Sequence, residues 1–266
     1  GATCFLIYNR LDMNYKMLPL LILLLHLGCK QNHSTASADW IILFDGSSTE
    51  GWRAYNGEYL PEGWGIKDNA LTFISEKKAE NEYNLKENKD LIYGAQEFDN
   101  FELYLEWKIP PGGNSGIFYH VKEDYEVISE ISPEYQIIDD ENYIKYDDLT
   151  EYNLSLGYTE NPNELKPLQQ TAADYAMHTA DPAQKILYPT GNWNSSKIIF
   201  TPEKAEHWLN GKKVLEFEPW SEDWYAKKNA GKWKLSPDYG KFKTGYIGLQ
   251  DHTSSIAFRN IKIKKL

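Results

Sequence analysis

The stretch FELYLEWKI, residues 101–109, alternates apolar side chains with glutamate, tyrosine and lysine. Successive side chains of a β-strand point to opposite faces of a sheet, so this pattern predicts a strand with one face in a hydrophobic core. Shorter segments of strand type follow along the chain, and we therefore predict an all-β protein. These segments are residues 40–44, 70–74, 116–121, 135–139, 196–201, 205–209, 213–217 and 245–250.

Two local signals refine the predicted strand arrangement. Asn210-Gly211 separates two predicted strands and is typical of a two-residue β-hairpin turn. In residues 256–263 the apolar positions change parity, which predicts a β-bulge at Arg259-Asn260. Many short strands joined by turns are typical of a β-sandwich or jelly roll.

Helical signal is confined to one segment. Residues 221–233 predict a short surface helix, because Ser221 can cap its start and Gly231 can end it. Residues 141–190 are long, polar and only weakly periodic. Irregular insertions of this length in compact domains are usually lids or binding loops, so we predict such a role for this one.

The amino-terminal segment, residues 1–29, has the composition of an export signal. We expect residues 1–12 to be upstream sequence, with Met13 or Met17 as the initiator. The apolar run MLPLLILLLHLG, residues 17–28, is too short to cross a bilayer and fits the core of a signal peptide. Cys29 follows it as in the cleavage box of bacterial lipoproteins; an ordinary secretory signal is the alternative. We predict an exported protein with a lipid anchor at the periplasmic or outer-membrane face.

Cysteine content and length define the rest of the chain. Both cysteines, Cys4 and Cys29, lie within the first 29 residues, so the mature domain must be stabilised by its core rather than by disulfides. Residues 30–39, KQNHSTASAD, form a polar tether. Residues 40–266 have the length of a single domain with a substantial core.

The charge balance excludes one class of partner. The chain has 28 Lys and Arg against 39 Asp and Glu, a formal net charge of −11, and only its last residues, IKIKKL, are strongly basic. A polyanion would be repelled, so we predict no nucleic-acid partner; no protein partner is predicted either. Most of the 19 Tyr and 9 Trp are explained by sandwich packing, and a few at loop edges could stack on sugars.

Polar side chains beside a short strand mark a candidate site. Glu134 and Gln136 share one face of this strand, while Tyr135 and Ile137 take the other, and Asp139 follows. Polar residues on an inward face are costly unless they have a function. The alternative is that these residues form the solvent face of the sandwich.

Two further segments place polar groups at strand ends. Gln250, Asp251 and His252 end an apolar strand, where an Asp-His pair could serve acid–base chemistry, bind a metal or simply form a turn. In PPGGNSGIFYHV, residues 110–121, the glycines allow a tight turn that brings Asn114 to the mouth of the sandwich.

The histidine of the same segment needs a separate prediction. In the strand GIFYHV, strict alternation places His120 with Phe118 on one face and Tyr119 on the other. One of these faces must be core, so Tyr119 and His120 are not expected to line a site together. His120 is the one that we place beside Glu134 and Gln136.

Regular catalytic and cofactor motifs do not occur in the sequence. There is no G-x-S-x-G elbow, H-E-x-x-H pair, phosphate-binding loop or dinucleotide fingerprint. No two histidines have ligand spacing on one element, although dispersed histidines and carboxylates could still hold a divalent cation. No other cofactor is predicted.

Six blocks in order resemble the 3-keto-disaccharide hydrolase domain family, formerly a domain of unknown function. The resemblance covers nearly all of residues 40–266 and implies a concanavalin-like jelly roll. Members of that family are typically exported proteins of Bacteroidetes-like and planctomycete-like bacteria. Within residues 141–190 the family usually has a G-x-L-Y-D-like block, to which Asp174-Tyr175 is the nearest match. The six blocks are LFDGSSTEGWR (43–53), DNFELYLEWKIPPGGNSGIFYHV (99–121), PEYQIIDD (133–140), GNWNSSKIIF (191–200), EHWLNGKKVLEFE (206–218) and GYIGLQDHTSSIAFRNIKIKKL (245–266).

The resemblance implies a hydrolase that cleaves 3-keto-glycosides, including 3-keto-disaccharides. A ketone at C3 acidifies the C2 proton, so cleavage can proceed by C2 deprotonation, loss of the aglycone and hydration. Glu134 is the predicted base or proton shuttle. Asp139, His120 and His252 are candidates for polarising the ketone or holding a cation. The residues predicted to bind substrate are Asn114, Gln136, Asp140, Gln250 and Asp251.

Two other function classes fit the same fold. The first is a non-catalytic, lectin-like carbohydrate-binding lipoprotein, and the second is a structural or adhesion lipoprotein. Binding modules usually accompany a catalytic domain, which weakens the first alternative. Buried polar residues around Glu134 would weaken the second.

Overall fold

The structure is a computed structural model that describes residues 39–73 and 89–266. The predictions for residues 1–29, with Cys29, and for nearly all of the tether at residues 30–39 lie outside the described residues. No helix in the two described ranges is long and apolar enough to span a membrane.

Thirteen strands within the described residues pair into two antiparallel sheets. They are β1 (Ile41–Phe44), β2 (Trp52–Ala54), β3 (Trp64–Lys67), β4 (Ala70–Phe73), β5 (Leu91–Tyr93), β6 (Phe101–Lys108), β7 (Asn114–Val121), β8 (Glu134–Ile138), β9 (Asn194–Phe200), β10 (Ala205–Leu209), β11 (Lys212–Phe217), β12 (Tyr246–Leu249) and β13 (Ile256–Lys265). The larger sheet has the order β11-β10-β9-β6-β13-β4-β3, with β1 also paired to β13. The smaller sheet has the order β2-β5-β12-β7-β8.

One hydrophobic core fills the space between the sheets. The apolar positions of β6 are at most 1% exposed, as its alternation predicts, and its polar positions lie on the other face. The smaller sheet contributes alternate residues of β7, β8 and β12 to the same core. Each fully buried large side chain contributes about 1.5–3 kcal/mol of transfer free energy. The predicted jelly-roll β-sandwich is confirmed.

The predicted hairpin and bulge are both present. Asn210 and Gly211 have φ angles of 47° and 79°, the left-handed pair that joins β10 to β11. Pairing between β13 and β6 shifts register between Arg259 and Lys262, and Asn260 has a φ of 52°. This extra residue restores the inward direction of the apolar side chains that follow it.

The predicted helix is also present, and the insertion adds helical turns that the sequence pattern did not indicate. Of the two α-helices in the described chain, α1 (Thr150–Ser155) belongs to the insertion and α2 (Glu222–Ala230) follows β11. Ser221 caps α2 by accepting a hydrogen bond from the Trp224 amide at 3.2 Å, and Gly231 ends it. Single 3₁₀ turns span Ile128–Glu130, Tyr143–Lys145, Pro167–Gln169 and Lys232–Leu235.

Strict alternation in β7 fails at its histidine. His120 has a φ of 53°, and the pairing of β7 with β12 shifts register beside it. Phe118 and Val121 therefore pack together outside the main core. The His120 ring meets Phe200 edge-on at 4.6 Å, next to the buried Tyr119. The prediction that His120 shares the face of Phe118 is wrong, because the left-handed residue turns its ring inward.

Candidate active site

A cavity of about 460 Å³ lies on the face of the smaller sheet that points away from the inter-sheet core. This volume is within the range of small-molecule sites. The sheet and the loop after β12 contribute Asn114, Glu134, Gln136, Gln250 and His252. The insertion and the 3₁₀ turn after α2 contribute most of the remaining lining, with Tyr143, Leu149, Tyr152, Leu165, Tyr175, Lys232 and Trp233.

Strand register explains why distant residues meet in this cavity. Gly116 of β7 pairs with Gln136 of β8, and the Gln250 amide donates to the Gly116 carbonyl at 2.9 Å. Glu134 and Gln136 face the cavity, whereas Tyr135 belongs to the inter-sheet core, as the sequence predicts. This face is not a solvent face, because both polar side chains are only 4% exposed.

The two aspartates that follow β8 lie elsewhere. Asp139 holds a turn, in which its carboxylate accepts hydrogen bonds from the Gly112 amide at 2.8 Å and the Asn142 amide at 3.2 Å. Asp140 forms an ion pair with Lys185. Both line a separate cavity of about 270 Å³. The predicted substrate contacts of these two residues are therefore not supported by their positions.

Asp251 and His120 are also absent from the lining of the larger cavity. Asp251 accepts hydrogen bonds from the backbone amides of Lys89 at 3.0 Å and Thr253 at 2.8 Å, which fixes the loop after β12. His120 Nε2 lies 2.8 Å from the Asp99 carbonyl oxygen. Burial lowers the pKa of His120 to about 4. A buried neutral ring with a backbone partner is a structural element of the core rather than a site residue.

Glu134 is the most unusual group of the cavity. None of the residues that the structure describes donates a hydrogen bond to its carboxyl group. Burial raises the pKa of Glu134 to about 8, the ammonium of Lys232 opposes this rise, and the carboxylates of Asp90 and Asp174 add to it. A carboxyl group with such a pKa can both accept and donate a proton near neutral pH.

Glycine in the neighbouring strand makes room for this side chain. A Cβ atom at Gly116 would lie 2.0 Å from Oε1 of Glu134 and 2.8 Å from its Cγ. Any side chain at this position would force the glutamate out of place. The glycine-rich stretch that leads into β7 and ends at Gly116 thus serves the site as well as the turn, since Asn114 within it lines the cavity.

Two buried oxygen atoms among the residues that line the cavity accept no hydrogen bond from the described protein. Asn114 Oδ1 and Gln250 Oε1 are buried, and neither has a hydrogen-bond partner within the described part of the chain. Gln136 Oε1 accepts from the Ile137 amide at 3.0 Å, which leaves its NH₂ group for other contacts. Buried acceptors of this kind are costly unless a ligand or water donates to them. Sugar hydroxyl groups are suitable donors.

His252 adds a neutral imidazole to the same cavity. Burial lowers its pKa to about 4, although the nearby carboxylate of Asp147 acts in the opposite direction. The ring is therefore uncharged at neutral pH. In residues 39–73 and 89–266, no group of three or more His, Cys, Asp or Glu side chains is arranged to hold a metal ion.

Sequence reasoning missed the aromatic and cationic part of the site. The Lys232 ammonium lies 4.5 Å from the ring centroid of Trp233, 4.6 Å from that of Tyr175 and 5.4 Å from that of Tyr152. Two signals could have indicated these residues. Asp174-Tyr175 stood out as a block match inside the insertion, and Lys232-Trp233 directly follows the glycine that ends α2.

Comparisons with known proteins define the family. The model of the 3-keto-alpha-glucoside-1,2-lyase-like domain matches residues 39–264. A 3-keto-disaccharide hydrolase of Bacteroides thetaiotaomicron is 33% identical over 247 residues, which are 85% of this chain and 78% of that protein. Two solved structures from Parabacteroides distasonis, both provisionally named glycosyl hydrolases, are also similar. The first is 36% identical with a TM-score of 0.71 over 85% of this chain and 94% of its own. The second is 26% identical with a TM-score of 0.59 over 86% of this chain and 100% of its own. The chain therefore belongs to the 3-keto-alpha-glucoside-1,2-lyase-like domain family and is a carbohydrate-active enzyme of hydrolase type.

Proposed function

We propose that this enzyme cleaves 3-keto-glycosides, including 3-keto-disaccharides, by elimination across C1 and C2 followed by hydration. The proposal rests mainly on Glu134, a buried carboxyl group that faces a sugar-sized cavity and whose pKa is raised to about 8. The family description names a 1,2-lyase, and the Bacteroides relative is named for a 3-keto-disaccharide. Both names support the same chemistry.

The reaction needs one group that accepts a proton and then returns it. The Glu134 carboxylate takes the C2 proton, and the electrons of that bond form an enolate with the C3 ketone. When the ketone re-forms, C1 and C2 become doubly bonded and the bond from C1 to the aglycone oxygen breaks. The departing oxygen takes the proton from Glu134. Water then adds its hydroxyl group to C1 and its proton to C2, which gives net hydrolysis.

This route explains why one carboxyl group is enough. Glycosidases that pass through an oxocarbenium ion need a pair of carboxyl groups on either side of the bond. Here the ketone acidifies the C2 proton, so the same carboxyl group can serve as base and acid. The buried acceptors of Asn114 and Gln250 are suited to hold sugar hydroxyl groups. Neutral His252 can donate a hydrogen bond to the sugar without adding charge.

The test is release of monosaccharide from 3-keto-trehalose or 3-keto-lactose by purified protein, with unoxidised trehalose as the substrate control. We expect Glu134→Gln to lower kcat by about 10²- to 10⁴-fold, the usual contribution of a general base. The exposed Glu203→Gln serves as the matched control and should match wild type. No release by wild type would refute the function, whereas undiminished release by Glu134→Gln would refute only the role of Glu134.

The pH profile gives a second test of the same assignment. Because the free enzyme must hold Glu134 as a carboxylate, kcat/KM should rise about tenfold per pH unit below 8 and level off above it. A profile that falls through pH 8 would instead require the protonated form as the starting state. That result would contradict the proposed sequence of proton transfers.

We also propose that the protein is exported and held at a membrane by a lipid on Cys29. The support is the apolar run at residues 17–28 with the cysteine directly after it. Expression in a bacterium with labelled palmitate tests this. Label should enter the wild-type protein and be lost in Cys29→Ser, whereas equal labelling of both proteins would contradict the anchor.

A further inference from the structure

We propose that Lys232 is a second catalytic residue, whose ammonium group stabilises the enolate oxygen that forms at C3 when the C2 proton is removed. This assignment rests on the proposed elimination in the same cavity. The elimination creates negative charge on a former ketone oxygen, and such charge needs a hydrogen-bond donor or a cation. Lys232 is the residue of the described cavity lining that bears a positive charge.

No carboxylate of the described residues forms an ion pair with Lys232. Across the described ranges, no carboxylate oxygen lies within the 4.0 Å that defines an ion pair with its ammonium group. This distinguishes it from Lys185 and Lys227, which are paired with Asp140 and Asp223. A half-buried lysine without a partner carboxylate can direct its full charge to a ligand.

Three aromatic rings hold the lysine in place. The rings of Trp233, Tyr175 and Tyr152 lie 4.5, 4.6 and 5.4 Å from the ammonium nitrogen. Cation–π contacts stabilise an ammonium group without a counterion. The hydroxyl groups of Tyr152 and Tyr175 are 2.5 Å apart, which fixes two of the rings relative to each other. We refer to these three side chains as the aromatic cage.

The aromatic cage is tied to the strand that carries the base. The Tyr175 amide donates to the Glu134 carbonyl at 2.9 Å, and Trp233 Nε1 donates to the Tyr175 carbonyl at 3.3 Å. Two hydrogen bonds through one residue therefore connect Glu134 to the turn that bears Lys232. C2 and C3 of the sugar are bonded neighbours, so the groups that act on them must be held close together. The electrostatic interaction between the two side chains is consistent with this spacing.

The same lysine could act in a different way, which the chemistry can distinguish. A neutral lysine amine could condense with the C3 ketone to form an imine and release water. That adduct would be trapped by borohydride. The three cation–π contacts are made to a charged ammonium group, which cannot form the adduct, so we assign the electrostatic role. Arginine keeps the positive charge but cannot form the adduct.

The experiment compares Lys232→Met, Lys232→Arg and the matched control Lys234→Met on 3-keto-trehalose. Lys234 lies in the same 3₁₀ turn but is exposed and outside the cavity. We expect Lys232→Met to lower kcat by about 10²- to 10³-fold with little change in KM, as for loss of an oxyanion donor. Lys232→Arg should retain activity within about tenfold. Lys234→Met should be unchanged.

Two further readouts separate catalysis from folding. Exchange of the C2 proton with deuterium oxide reports deprotonation alone, and it should slow in Lys232→Met in parallel with kcat. The pH at which kcat/KM levels off should also move upward, because removal of the ammonium removes an effect that lowers the pKa of Glu134.

Several results would overturn the assignment. They are cleavage by Lys232→Met within about threefold of wild type, unchanged C2 exchange, or a borohydride-trapped adduct on the wild-type protein. Cleavage of 3-keto-trehalose by wild type with an unimpaired Lys232→Met would refute the lysine and leave the proposed function intact. Absence of cleavage by wild type would refute both.

Discussion

A glutamate in a buried strand position destabilises the fold whenever it ionises, and Glu134 occupies such a position at the start of β8, the edge strand of the smaller sheet. Burial raises its pKa to about 8, so most molecules carry it protonated at neutral pH. The neighbouring Gly116 leaves space for the Glu134 side chain, and the positive charge of Lys232 partly offsets the rise of its pKa. The stability cost of this residue and its proposed catalytic use thus have the same origin, which is burial of its carboxyl group.

Replacing Glu134 by glutamine should stabilise the protein in a pH-dependent way. The folded-state pKa of about 8 exceeds the ordinary value of 4.5, so the folded protein binds more protons than the unfolded chain between these values. The free energy of unfolding of wild type therefore falls as pH rises from about 4.5 to 8. We expect Glu134→Gln to have little effect at pH 4 and to raise the unfolding free energy at pH 9, as measured by urea denaturation. An equal effect at both pH values would contradict the raised pKa.

Substitution of Gly116 should damage the site more than the fold. Gly116→Ala places a Cβ atom 2.0 Å from Oε1 of Glu134, so the glutamate must move. We expect kcat/KM to fall by about 10²-fold or more, because a displaced base loses its alignment. Gly65→Ala is the matched control, since a Cβ atom in that strand would meet nothing within 4 Å. Wild-type kcat/KM for Gly116→Ala would show that the close contact does not position the base.

The residues of the site differ in how well a sequence can indicate them. Alternation in one strand is enough to place Glu134 and Gln136 on a common face. The side chain of His120 was assigned to the wrong face because its left-handed backbone conformation interrupts the alternation of the strand. The sequence YHV does not indicate this conformation. Lys232 was not assigned to the site, because its position after Gly231 does not show that two of its three aromatic partners come from the distant insertion.

At the scale of elements, the insertion is a small folded unit rather than a loose loop. Its buried side chains Tyr143, Leu149 and Leu165 pack with Ile138 of β8. Asn153 is fully buried within it. The side-chain NH₂ group of Asn153 donates to the backbone carbonyls of Pro162 and Glu164 at 2.7 and 2.9 Å. Its side-chain oxygen accepts a hydrogen bond from the side chain of Gln169 at 2.7 Å. This polar centre sets the shape of the cavity wall.

Replacing Asn153 by aspartate should loosen the insertion selectively. A carboxylate cannot donate to the two carbonyl oxygens, and loss of buried hydrogen bonds costs about 1–3 kcal/mol. We expect faster protease cleavage within residues 141–190 and a KM for 3-keto-trehalose raised by about fivefold or more. Asn229→Asp on the exposed side of α2 is the control. An unchanged protease pattern would show that Asn153 does not hold the insertion.

Element boundaries were predictable where a pattern had room to repeat. The long strands β6, β7, β9 and β13 were all indicated, as was the capped helix α2. Strands β2 and β5 were not, because three residues give too short a period to recognise, and β3 was not, because a glycine interrupts its four residues. Helix α1 was missed for a related reason, since it has six residues and no side-chain cap.

For the molecule as a whole, the hydrophobic core and the cavity lie on opposite faces of the smaller sheet. Damage to the core should therefore reduce stability without changing the chemistry. Leu105 lies in β6 of the larger sheet and is completely buried. Its truncation leaves a space in the inter-sheet core, on the opposite side of the smaller sheet from the Glu134 carboxyl group.

We expect Leu105→Ala to lower the free energy of unfolding by about 2–5 kcal/mol, the usual cost of a buried leucine. At 25 °C the folded fraction should keep the kcat/KM of wild type, which denaturation curves and initial rates together will show. Ile42→Ala in β1 is the control, because Ile42 is 55% exposed and should cost little. Loss of activity in a fully folded Leu105→Ala protein would show that the two faces are coupled.

One wall of the cavity is built from strands and the other from the connections between them. Substitutions in the two walls are therefore expected to have different effects. A strand supplies Glu134, the proposed base, so a mutation there is expected to change whether the bond breaks and also to disturb a pairing that the fold requires. Connections supply the aromatic cage and the leucine-lined wall, and connections can change in length and composition without altering any strand register. A descendant of this protein could therefore accept a substrate with a new leaving group through changes in residues 141–190 that spare Tyr152 and Tyr175, while it inherits the chemistry unchanged.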